Sequence, residues 1–145
     1  MKAAYLAGYD NKEFKKKSKE VMIKIGLLFQ IQDDFIDCFG DSGHTGKIGT
    51  DIEEGKCCWP IVTALELCNE SQKRILKTNY GLKSKVNVKA VKDVYNEINL
   101  IDVYRKEEDQ RYEEICLGID EIRKKDITIP QILEYFLSKI YKRDK

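Results

Sequence analysis

The chain has few of the residues that interrupt regular structure, with two prolines and nine glycines in 145 residues, five of the glycines crowded between Gly40 and Gly55. Apolar residues elsewhere recur at helical spacing, and nowhere does apolar and polar alternation persist as a strand would require, which excludes a sheet-based fold and implies the all-α class. One histidine, His44, and an odd set of five cysteines (Cys38, Cys57, Cys58, Cys68 and Cys116) with no Cys-x-x-Cys spacing argue against a zinc site or a disulfide framework. A reducing, cytoplasmic setting fits that usage. No segment reaches the roughly 18 apolar residues of a membrane span, and Met1–Gly8 is too brief for a signal-peptide core. The 26 basic and 25 acidic side chains nearly cancel, so bulk charge suggests neither nucleic acid nor an anionic membrane as a partner.

What is present is a succession of helical segments. A long helix capped by Asp10 or Asn11 should run to about Phe39 and stop at Gly40, lysine-rich at first and apolar later. The glycine-rich stretch to Gly55 reads as loop. Further helices are expected over Trp59–Leu67, from Ser71 to Gly81, over about Val86–Ile98 and over about Asp102–Lys124. The last opens with Thr128 as N-cap and Pro130 in its first turn, with Ile132, Leu133, Phe136, Leu137 and Ile140 as core. Pro60 is tolerated in a first turn, where its missing N–H is not needed, and Cys57, Cys58 and Trp59 read as helix-start packing. Ala3–Gly8 looks like the end of an apolar helix, which raises the expectation of an upstream portion.

At about 100° per residue, Asp33 and Asp37 sit about 40° apart on the long helix and Asp34 lies on the same flank. Apolar residues wrap most of the remaining circumference, so this flank should face a cleft. Carboxylates gathered in this way repel one another, and a divalent cation relieves the repulsion. Oxygen-only donors suit magnesium, which commonly bridges carboxylates to phosphates. The alternative that spacing leaves open is a solvated face that happens to carry three aspartates. An EF-hand is excluded because its alternating ligands, glycine and distal glutamate are absent. Thr45–Asp51, with Lys47 and, nine residues on, Lys56, combines glycines that admit an anion near the backbone with lysine point charges. It departs from a Walker A loop at Asp41 and Ile48, and an ordinary surface turn is the competing reading. Lys12, Lys15, Lys16 and Lys17 read as a solvated helix face, and His44 as incidental.

The run Phe29-Gln30-Ile31-Gln32-Asp33-Asp34-Phe35-Ile36-Asp37-Cys38-Phe39-Gly40-Asp41 resembles the second aspartate-rich motif of farnesyl diphosphate synthases. The likeness continues through Thr45–Ile52, Lys56-Cys57 and Trp59, and returns at Lys139–Arg143. It implies an all-α isoprenoid-synthase bundle, with residues 1–145 as the later part of a single polyprenyl-synthetase domain. It also implies a homodimer and magnesium-dependent head-to-tail condensation of isopentenyl diphosphate with dimethylallyl or geranyl diphosphate. By that resemblance Asp33 would be the principal magnesium ligand, supported by Asp34 and Asp37, and Asp33, Asp34 and Lys47 would carry the catalytic work. Gln30, Lys47 and Lys56 would contact the allylic substrate or its diphosphate, Phe29 would line the apolar tunnel, and Arg143 would lie near isopentenyl diphosphate.

The family's first aspartate-rich motif has no counterpart and would precede Met1. Asp144 stands where the family tail is usually basic, and Pro60 replaces an ordinary helix residue. An incomplete synthase chain is the favoured reading. A terpene synthase derived from this family and a catalytically silent partner subunit are the alternatives. The 145-residue chain by itself is expected to show negligible magnesium-dependent condensation when assayed for incorporation of labelled isopentenyl diphosphate, and robust turnover would refute the account of a missing first cluster.

Overall fold

The computed structural model describes residues 12–40, 49–124 and 128–142. Asp10, Asn11, His44, Lys47, Arg143 and Asp144 lie outside them. The described residues are helical without strands: α1 (Lys12–Phe39), α2 (Asp51–Glu54), α3 (Trp59–Leu67), α4 (Glu70–Asn79), α5 (Lys85–Glu97), α6 (Leu100–Arg123) and α7 (Thr128–Ile140). They form two compact units, divided after Gln30 on α1 and after Glu107 on α6. No helix among the described residues is long and apolar enough to cross a membrane.

In the first unit the core follows helical periodicity. Phe14, Val21 and Leu28 of α1 meet Ile115, Ile119 and Ile122 of α6 and Leu133 and Leu137 of α7, all buried. The approach of α1 to α6 is tight at Gly118, where an added Cβ would stand 2.7 Å from Val21 Cγ2. Lys17–Glu121 at 3.1 Å and Lys24–Glu114 at 3.3 Å flank that crossing. Position 17 therefore pairs with 121 and 24 with 114, so the two helices run antiparallel. These pairs are half exposed and contribute little individually. Of the lysines expected on a solvated face, Lys12 and Lys16 are exposed, whereas Lys15 and Lys17 are half-buried. The expected core of α7 is only partly realised, because Ile132 and Phe136 are 47% and 54% exposed while Leu133 and Leu137 are buried. The apolar stripe is wider than the surface that covers it, and the flank through 132 and 136 is turned about 100° away from the buried edge.

The second unit is built from the end of α1, the helices α2 to α5 and the start of α6. Its core joins Cys38, Ile52, Cys58, Ile61, Ala64, Cys68, Leu76, Val91, Val94, Tyr95 and Leu100. Helix α4 starts one residue before Ser71. Asn69 Oδ1 accepts the Gln72 N–H at 3.0 Å and Gln72 Oε1 accepts the Asn69 N–H at 3.1 Å, a reciprocal capping box. Pro60 lies in the first turn of α3 as expected. Cys58 is buried but Cys57 is exposed, which corrects its assignment to packing. The stretch read as loop up to Gly55 contains the single-turn helix α2, too short for any periodicity to show, with Asp51, Glu53 and Glu54 suiting the positive end of a helix. Gly118→Leu should cost roughly 1–3 kcal/mol in thermal or denaturant unfolding by overpacking the α1–α6 crossing, and Val21→Ala in the same chain should recover part of the loss.

Candidate functional site

The acidic stretch ends α1 within the second unit, where aromatic side chains fix its rotation. Phe35 stacks on Tyr104 with centroids 3.7 Å apart and planes 7° from parallel, and on Phe39 at 4.9 Å. Trp59 meets Tyr104 edge-on at 5.7 Å. Holding Phe35 in this way sets the direction of its neighbour Asp34, which is only 5% exposed.

Both oxygens of Asp34 accept from the segment that opens α3. The Trp59 backbone N–H donates to Oδ2 at 2.9 Å, and Lys56 Nζ donates to Oδ1 at 3.2 Å. The same ammonium donates to Oδ2 of Asp51 at 2.9 Å. Asp51 is 7% exposed, and its own backbone N–H donates to Asp37 Oδ2 at 2.9 Å. Asp37 therefore serves the N-terminal turn of α2, satisfying a donor that the helix leaves without an internal partner. Gly49 brings the chain in close over the end of α1, since a Cβ there would collide with the Asp37 carbonyl.

The electrostatics follow from this arrangement. Burial pushes the Asp51 carboxyl above its ordinary value, with Lys56 opposing the shift. Lys56 is pushed well above the usual lysine range, first by its hydrogen bond to Asp51 and then by Asp34, against the cost of burial, so it stays cationic throughout the neutral range. Lys56, expected from the resemblance to contact the allylic substrate or its diphosphate, here bonds Asp34 and Asp51 and supplies their local positive charge. Among the described residues no three His, Cys, Asp or Glu side chains converge as a ready metal cluster. Asp33 and Asp37, half-buried and one turn apart on α1, present oxygen donors alone, a set that fits magnesium and not a soft metal.

Of the residues singled out from sequence, Asp34, Asp37 and Lys56 are thus joined in one network, and Asp33 lies beside them on α1. Phe29 and Gln30 belong to the first unit and are exposed, Phe29 by 41%. Lys47 and Arg143 are outside the described residues. Sequence reasoning gave Asp51 no role, although an acid placed to open a helix directly after Gly49-Thr50 was a usable signal. Asp34→Ala should cost about 1–3 kcal/mol in equilibrium unfolding, because it leaves the Trp59 N–H without its Asp34 acceptor and the Lys56 ammonium with Asp51 alone. Asp34→Asn, which keeps an oxygen for one of those donors, should cost less.

Comparison with known proteins agrees with the all-α fold. The polyprenyl synthetase family model matches residues 1–98. Farnesyl pyrophosphate synthase 1, mitochondrial, of Arabidopsis thaliana is 44% identical over 142 residues, covering 98% of this chain and 36% of its own length. The farnesyl pyrophosphate synthase of Artemisia annua is 46% identical over 127 residues, again covering 36% of the relative. The structure of T. brucei farnesyl diphosphate synthase complexed with risedronate superimposes with a TM-score of 0.88 at 33% identity, covering 90% of this chain and 37% of that one. The chain spans about a third of the length of these relatives. With the family model matching residues 1–98, about two thirds of its length, the chain belongs to the polyprenyl synthetase family.

Proposed function

We propose that residues 1–145 form the later part of one polyprenyl-synthetase domain and supply one wall of a magnesium–diphosphate site. The reaction served is head-to-tail prenyl transfer, in which isopentenyl diphosphate is condensed with dimethylallyl or geranyl diphosphate. The observation that carries this reading is the network in which Lys56 bridges Asp34 and Asp51 beside Asp33 and Asp37, within a chain of this family.

Each residue has a distinct task in that reading. Asp33 and Asp37 would hold magnesium, with Asp34 supporting them from its buried position. When bound, the metal would draw negative charge off the diphosphate oxygens and so favour its departure from the allylic carbon. An ammonium has three protons, and Lys56 commits two of them to Asp34 and Asp51. It retains one for an oxygen of the diphosphate, and its charge is already set in place before substrate arrives. Lys47 would add a second cation from the preceding loop, and Gln30 a polar contact. Phe29 would contribute apolar wall, needed because an allylic cation survives only away from water. Arg143 would serve the isopentenyl diphosphate, and a second copy of the chain would complete a homodimer.

Titration calorimetry of the 145-residue chain with inorganic diphosphate tests the reading directly. Binding should require magnesium and should weaken by about tenfold or more in Asp33→Asn, a loss of about 1.4 kcal/mol. Diphosphate binding that ignores both magnesium and Asp33→Asn would sink the proposal.

A further inference from the structure

The segment that serves Asp34 is gripped by a turn from the far end of α4. Helix α2 ends at Gly55 in the left-handed conformation (φ 65°), and Tyr80-Gly81, the turn after α4, lies against it. Tyr80 Oη donates to the Lys56 carbonyl at 2.6 Å, and the Gly81 N–H donates to the Ile52 carbonyl at 2.9 Å. The two turns approach so closely that a Cβ on Gly55 would stand 3.2 Å from Gly81 Cα, and Gly81 itself has φ 81°. Both positions therefore favour glycine by backbone conformation, and Gly55 by space as well.

The hydrogens in this grip can be assigned. A tyrosine hydroxyl has one proton, and a carbonyl can only accept, so the Tyr80 proton lies toward Lys56. Cys58 Sγ, 3.4 Å from the same hydroxyl oxygen, is then the donor to it. Burial pushes the Cys58 thiol up, which keeps its proton in place. Burial together with Cys58 likewise pushes the Tyr80 phenol up. One hydroxyl thus holds the segment at Lys56 and at Cys58. The two donors to Asp34, the Lys56 ammonium and the Trp59 N–H, come from that same short segment.

We propose that Tyr80 is a positioning residue for this site: by holding the Lys56 carbonyl and the Cys58 thiol, its hydroxyl sets the placement from which Lys56 and Trp59 reach Asp34. Its relevance to ligand rests on the diphosphate reading above, but its action on Lys56 does not.

The test uses the 145-residue chain with its lysine ammonium groups labelled with nitrogen-15. The Lys56 resonance is identified by its loss in Lys56→Met, and helicity is checked by circular dichroism. In Tyr80→Phe the Lys56 ammonium should shift toward the exposed lysines and exchange its protons several-fold faster. Gly55→Ala, which strains the left-handed turn and crowds Gly81 while leaving the hydroxyl in place, should move the same resonance in the same direction. Magnesium-dependent diphosphate affinity should fall about fivefold in Tyr80→Phe, the size of one lost hydrogen bond. In a Lys56→Met background, Tyr80→Phe should then cause little further loss. An unchanged Lys56 resonance in both variants would overturn the inference, as would a Tyr80→Phe loss just as large without Lys56. Absence of diphosphate binding by the unmodified chain would instead remove the functional reading, while the Lys56 resonance still decides whether Tyr80 positions it.

Discussion

Lys56 is the residue on which the second unit's polar interior depends. Asp34 and Asp51 are both almost fully buried, and two ionised carboxylates so close together would repel each other with little water to screen them. The ammonium placed between them, 3.2 Å from one and 2.9 Å from the other, makes that burial tolerable. It also links parts of the chain that are far apart in sequence, since Asp34 ends the long helix α1, Asp51 opens α2 and Lys56 leads into α3. The aromatic contacts of Phe35 and Trp59 with Tyr104 also tie α1 and α3 together through the start of α6.

This arrangement has a chemical logic for the proposed diphosphate site. A cluster of bare carboxylates would repel the ligand until metal arrived, whereas a lysine already seated among them offsets part of that charge in advance. Lysine suits the task better than arginine, because its compact ammonium can be shared among acceptors in several directions while a guanidinium fork favours one planar partner. The half-buried Asp33 and Asp37 remain on α1 as oxygen donors of the kind magnesium prefers.

Several elements were legible from residue order. Helix α1 ends at Phe39 and α3 spans Trp59–Leu67, as apolar spacing, Gly40 and Pro60 indicated. The aspartate stretch was also visible, since its three carboxylates fall on one flank by helical geometry alone. Helix α2 was not, because four residues complete barely one turn and show no period. The exposure of Ile132 and Phe136 was hidden for a different reason: spacing shows which residues share a face, but not how much of that face a neighbour covers.

The sequence by itself determined the all-α class, the helix that carries Asp33, Asp34 and Asp37, and the family likeness of the residues around them. These are properties of neighbours along the chain, where the 3.6-residue turn and the chemistry of each side chain suffice. Tertiary structure alone decided that Asp34 is buried against Lys56 and the Trp59 N–H, that Asp51 shares the same ammonium, and that Tyr80 grips the Lys56 carbonyl. Each of those contacts joins separate helices or turns. Its partners are chosen by how the aromatic and apolar faces pack, and local spacing carries no information about that choice.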